Sequence, residues 1–263
     1  MAKLEYTFKT DTLFKMLFVK HPQLLKKLIA ELLGIQLESI GQFDITNPEM
    51  PPESLGDKFC RLDINMTVEG QRVDLEIQVN DEGDYPERSL FYWAREYSTA
   101  LGEGDDYSLL PRTIIISIVG FTLFDCTEFH SEYQALEVKR HTPLTDKMSL
   151  HYFELPKLPA LERAEYGKEL WLALFNAETE EELAKIEALE VPIMKQAIGA
   201  YRHVTATPEF REIKRLRSKA RHDEAQALRK ARLEGAEIER EKWQAENEKL
   251  RKQLAELQAK LEG

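Results

Sequence analysis

Residues 61–79 read RLDINMTVEGQRVDLEIQV, two runs of alternating apolar and polar residues on either side of Glu69-Gly70. Alternation with a period of two is a strand signal, and a two-residue turn between two such runs makes a hairpin. With Glu69 and Gly70 as the loop, Val68 pairs with Gln71, Met66 with Val73, Ile64 with Leu75 and Leu62 with Ile77. That register gathers the apolar side chains on one face, and a slip of one residue would send them all to the other. The opposite face then sets Arg61 across from Gln78, Asp63 across from Glu76 and Asn65 across from Asp74. Like charges directly opposite each other on a sheet are destabilising. Two explanations stand side by side. The face is the solvent side of a hairpin, where acids are common, or a divalent cation between the carboxylates converts their repulsion into attraction.

The rest of the chain supplies the setting for this hairpin. Leu13, Leu17, Leu24, Leu28 and Leu32 recur at helical spacing over residues 10–34, with Thr10 or Asp11 as cap, Gly34 as stop and a possible break at His21-Pro22. Asn47-Pro48 and Pro51-Pro52 mark a loop before the hairpin. After it, YPERSLFYWAREYSTALG predicts a helix from Tyr85 to Gly102. The run TIIISIVGF, 113–121, predicts a strand buried on both faces. YQALEVKR and SLHYFEL alternate as further strands, and from Leu161 the pattern is helical except near Pro192 and Pro208. The expected fold is a mixed α/β core followed by an α-helical extension. Three segments are expected: a core domain at 1–160, a helical extension at 161–210 and a charged helical tail at 211–263.

The formal net charge of −11 argues against a nucleic-acid partner until its distribution is considered. From Arg202 to Arg232 ten basic residues, Lys214, Arg215, Arg217 and Lys219 among them, stand against four acids. This segment is either a solvated helix face or a surface for phosphates. Further on, Trp243, Asn247, Leu250, Leu254, Leu257 and Leu261 are spaced 4, 3, 4, 3, 4. A single Asn at an a position with Leu at d favours a two-stranded parallel coiled coil, so a homodimer is expected. An amphipathic helix folded on its own body, or a frayed tail, are the alternatives.

Several classes of function are excluded. No apolar run approaches the ~20 residues that span a bilayer, and residues 1–16 lack the apolar stretch of a signal peptide, so a cytoplasmic protein is expected. Cys60 and Cys126 have no paired spacing, and the six histidines show no H-E-x-x-H or similar pattern. No phosphate-cradling Gly-rich loop and no G-x-S-x-G elbow is present, so no nucleotide cofactor is expected.

Asp63, the hairpin, Glu76-Ile77-Gln78, a helix and then a buried strand resemble the PD-(D/E)XK nuclease superfamily. Within it the sequence is most similar to the recombination-promoting nuclease and putative transposase family, many of whose members carry E-x-Q where others carry E-x-K. TDTLFKMLF near the start, RSLFYWAREYS after the hairpin and HYFELPKL at 151–158 extend the likeness over roughly residues 7–160.

The resemblance implies a restriction-endonuclease-like αβββαβ core and a Mg²⁺-dependent DNA endonuclease, with Mn²⁺ as a possible substitute. Asp63, Glu76 and the backbone carbonyl of Ile77 would hold the metal. Gln78 stands where the lysine is common; an amide cannot act as a general base, so it would orient a water by hydrogen bonding. Asp11, one helical turn from Lys15, would be an accessory metal ligand, or else a helix cap beside an exposed lysine. Arg88 and Tyr92 would touch substrate phosphate, or else pack as a tyrosine with a surface arginine. Lys15, Arg88 and the basic residues 214, 215, 217 and 219 are the expected nucleic-acid contacts. A non-catalytic DNA-binding or assembly module on the same fold is the alternative, and an RNA substrate is compatible with the same chemistry.

Overall fold

A computed structural model describes residues 2–46, 64–161 and 167–261 of the chain. They form two units, one reaching to Glu212 and the other continuing from Ile213. The first unit is a mixed α/β structure around a six-stranded sheet. Its elements, in chain order, are α1 (Asp11–Lys20), α2 (Pro22–Leu33), β1 (Phe43–Ile45), β2 (Ile64–Val68), β3 (Gln71–Gln78), α3 (Tyr85–Ser98), β4 (Thr113–Val119), β5 (His130–Tyr133), β6 (Met148–Glu154), α4 (Lys168–Asn176), α5 (Glu180–Ala188) and α6 (Pro192–Ala206). A last helix, α7 (Pro208–Leu261), begins in this unit and constitutes the second.

The sheet order is β1-β2-β3-β4-β6-β5. β3, β4 and β6 run parallel in the middle; β1, β2 and β5 are antiparallel to their neighbours. The hairpin register is the one the alternation demands: Val68 faces Gln71, Met66 faces Val73 and Ile64 faces Leu75. Glu69 and Gly70 both have positive φ, 50° and 75°, as a two-residue turn of this hand requires. Pro22 starts a second helix rather than continuing the first, and Gly34 closes that helix at φ 66°. β4 is buried along its whole length, as a central parallel strand should be.

One helical layer joins both ends of the unit. α1 packs on α6 and α2, and α4 packs on α2, α5 and α6. Its aromatic centre includes Phe8 stacked on Tyr201 at 4.6 Å and Phe14 near Phe18 and Phe175 at 5.3 and 5.8 Å. A full capping box at Thr179 and Glu182 starts α5. The other helix, α3, lies on the sheet through β4 and β6.

β1 is the third strand before α3 that the αβββαβ resemblance implies, though its three residues do not announce it. Two local expectations change. The alternation in YQALEVKR is not a strand beyond Tyr133: only a single bridge, Leu136 to Pro143, follows, and Val138 is exposed. Helix α3 stops at Ser98 rather than Gly102, because Arg72 reaches over from β3 and donates to the carbonyls of Glu96 (2.7 Å) and Thr99 (3.3 Å). A guanidinium that takes up the last carbonyls does what a C-cap does elsewhere. The proline-marked loop at 47–52 lies outside the described residues.

On the sheet face away from α3, His130 Nε2 meets His151 Nδ1 at 3.1 Å, and Ser149 Oγ bridges His151 Nε2 to Glu132, both at 2.9 Å. Burial, then the neighbouring His151, pushes the His130 imidazole down to about 4, with Lys168 adding to this and Glu132 opposing it. His151 is lowered by burial too, with Arg112 also lowering and Glu132 raising it. Between the ordinary 6.5 and about 4 the unfolded chain holds a proton that the folded one refuses. Stability present above pH 6.5 is therefore lost as pH falls toward 4. Urea midpoints should drop steadily over that window, and His130→Gln should flatten the slope; an unchanged slope in the variant would place the pH dependence elsewhere.

Candidate active site

In-register neighbours across a sheet share a face. Glu76, Ser117 and Tyr152 are in register across β3, β4 and β6, so they form one row beneath α3. Asp74 begins the next row, with Asn65 across from it on β2. Asp74 and Glu76 are each only 4% exposed, so this is not a solvent face. Carboxylates are rarely buried to that degree unless they are paired or bind something.

Helix α3 presents polar groups to the sheet at successive turns. Tyr85 Oη donates to Glu76 Oε2 at 3.0 Å, Ser89 Oγ meets Tyr152 Oη at 2.5 Å, and Trp93 Nε1 donates to the Thr113 carbonyl at 3.0 Å. The spacing of 85, 89 and 93 is one turn each, which keeps the three on one stripe. Tyr85 is fully buried, with Tyr152 and Phe121 edge-on to its ring at 6.4 and 6.1 Å. Burial, and after it the charge of Glu76, holds its phenol well above the usual tyrosine range, so Tyr85 stays a donor. Arg88 lies over the same ring at 5.1 Å and pairs with Glu82 and Asp84.

The site lies toward the carboxyl end of the three parallel strands, where Gln78, Val119 and Glu154 are in register. Open α/β sheets bind ligands beyond that edge. Gly120 N–H donates to the Gln78 carbonyl at 2.8 Å, so that carbonyl points to β4. Successive carbonyls of a strand point opposite ways, and the Ile77 carbonyl is directed away from β4, to the β2 side. Gln78 Nε2 donates to the Asn80 carbonyl at 2.8 Å.

A buried staple holds the loop beside this edge. Glu154, 1% exposed, accepts the Leu123 and Phe124 N–H groups on Oε1 at 2.5 and 3.2 Å, and Lys157 Nζ on Oε2 at 2.7 Å. Lys157 also donates to the Phe124 carbonyl at 2.7 Å.

Of the residues singled out in the sequence, Glu76, Ile77 and Gln78 sit together at the end of β3. Asp63 lies outside the described residues. Asp11 starts α1, where its Oδ1 accepts the Thr12 N–H at 2.7 Å. Lys15, one turn on, is buried at 2% rather than exposed. Tyr92 is buried at 6%, with Arg95 over its ring at 5.8 Å. Lys214, Arg215, Arg217 and Lys219 are on α7. Among the described residues, no group of three or more His, Cys, Asp or Glu side chains gathers as a metal site. Sequence reasoning passed over Tyr85, Tyr152 and Glu154. In the sequence Glu154 was only one polar position in the alternation of SLHYFEL, which gave no sign of its burial.

The six-stranded mixed sheet with its helices makes this a mixed α/β protein, consistent with a PD-(D/E)XK-like fold. The family model for the PD-(D/E)XK nuclease family transposase matches residues 8–231, and the chain belongs to that family. PD-(D/E)XK nucleases generally use divalent metals, and the family implies DNA as substrate. No curated protein and no solved structure matches the chain. Among the described residues, no helix is long and apolar enough to cross a membrane.

The staple has a measurable weight. Glu154→Ala leaves two backbone donors and a lysine without their acceptor, which should cost about 2–4 kcal/mol in urea unfolding. A loss below about 1 kcal/mol would show that the loop is held by its aromatic contacts instead.

Proposed function

We propose that the chain is a Mg²⁺-dependent DNA endonuclease acting in recombination or transposition. The observation that carries this reading is Glu76: a carboxylate buried under α3 at the carboxyl half of β3, in a chain of this family. The described ladder ends at Ile64–Leu75, one step short of Asp63 and Glu76. The register read from the sequence alternation would set Asp63 opposite Glu76, where directly opposed residues have Cβ atoms about 5 Å apart.

The donor chemistry on this face suits such a cation. Carboxylate, amide and carbonyl oxygens are hard ligands, the kind taken by Mg²⁺ and Mn²⁺, while His130 and His151 belong to the other face. Asp63, Glu76 and the Ile77 carbonyl would hold the ion, with Asp11 as an accessory ligand. When bound, the ion polarises the scissile phosphate and lowers the pKa of a water. Gln78 orients that water; its amide has no proton-accepting role. Arg88 contacts phosphate beside the cut, and Lys214, Arg215 and Lys219 on α7 are further basic contacts. Lys15 and Arg217, expected as contacts from the sequence, are 2% and 4% exposed and do not serve as surface contacts. The segments 1–160, 161–210 and 211–263 act as nuclease domain, helical extension and charged tail.

Plasmid nicking in Mg²⁺ should be abolished by Asp63→Ala and by Glu76→Ala, each by 10²-fold or more. Activity unaffected by both substitutions overturns the assignment. Running the assay on single-stranded RNA beside DNA decides the substrate.

One observation favours a second reading, a non-catalytic binding or assembly module. The Gln78 amide is engaged with the Asn80 carbonyl, as a residue retained for structure would be. Mn²⁺ calorimetry separates the two readings, because heat that is absent, or unchanged by Glu76→Ala, supports the module. Either reading accommodates a dimer through α7, on which Trp243 and Leu250 are 70% and 55% exposed. Leu250→Glu should shift the sedimenting species from dimer to monomer; an unshifted species rules out the coiled coil.

A further inference from the structure

We propose that Tyr85 is the positioning residue of the site, fixing the Glu76 carboxylate in the orientation that receives the metal. This inference rests on the nuclease reading and adds a residue that the E-x-Q signature does not contain. A glutamate side chain has three rotatable bonds, and as a metal ligand it must present its oxygens within a few tenths of an ångström. Groups that hydrogen-bond a ligating carboxylate set that orientation.

Tyr85 is built for that task in three respects. Its hydroxyl donates to Oε2 of Glu76 at 3.0 Å, which pins one oxygen on the α3 side. Its ring cannot swing, since Phe121 and Tyr152 meet it edge-on and the Arg88 guanidinium lies at 5.1 Å over it. Its backbone is the first residue of α3, and that helix is tied to the sheet by Ser89 and Trp93 at the next two turns. The hydroxyl is therefore a fixed point of the sheet–helix interface, with Glu76 hung from it.

The test is direct Mn²⁺ binding by calorimetry on the full chain, with affinities expressed per folded molecule from each variant's own melting curve. Tyr85→Phe keeps the ring and removes the hydroxyl. Its Mn²⁺ affinity should fall 10–100-fold, the range seen when a ligand's supporting hydrogen bond is removed. Ser89→Ala removes the next tie of the same helix without touching Glu76 and should bind Mn²⁺ as the parent does. In nicking assays Tyr85→Phe should raise the Mg²⁺ concentration for half-maximal rate while leaving the KM for DNA unchanged. Equal losses in Tyr85→Phe and Ser89→Ala would make the effect one of helix docking and overturn the proposal. Parent-like binding by Tyr85→Phe, with binding lost in Glu76→Ala, would overturn it while leaving the nuclease reading intact. Binding unaffected by Glu76→Ala would remove the nuclease reading itself.

Discussion

The structure depends on a helix that docks through hydrogen bonds where most helices dock through hydrocarbon. Tyr85, Ser89 and Trp93 reach down from α3 to Glu76, Tyr152 and the Thr113 carbonyl, and Arg72 reaches up from β3 to close the far end of the helix. Each contact satisfies a group that burial would otherwise penalise by about 1–3 kcal/mol. The apolar cluster around them, with Ile115, Val119 and Leu150, excludes water and so raises the cost of losing any one partner. A buried glutamate is tolerable in such a layer because its donor comes from the element that buries it.

The same layer explains how a largely apolar sheet keeps a polar row near its carboxyl edge. Three parallel strands bring Glu76, Ser117 and Tyr152 into register, and their neighbours Gln78, Val119 and Glu154 form the last row before the loops. Glu154 and Lys157 hold the loop after β4 at this edge through its backbone. Rigid strands carry the acids, and a stapled loop borders them.

Much of this was legible in the residues and some was not. The hairpin register could be read because a period of two and a two-residue turn leave little freedom, and the turn's positive φ values at Glu69 and Gly70 match. The uniform apolar run at 113–119 marked the central strand for the same reason. The alternation of YQALEVKR misled, because a loop with a few exposed apolar residues mimics a strand over a short window. The end of α3 was hidden because the group that stops it, Arg72, comes from a different element. Burial of Asp74 and Glu76 was equally hidden: a pattern gives the two faces of a sheet, and only the tertiary fold says what covers each. Asp63, on which the metal reading turns, lies outside the described residues.

Both borders of the sheet are very short, three residues in β1 and four in β5. An unpaired border strand invites a neighbouring chain to add on, and so few free backbone groups make a poor template for it. Crowding of many copies on a nucleic acid would therefore not drive them to fuse sheet to sheet. The parallel strands that carry the acids are thus kept at the centre of the sheet, away from either border.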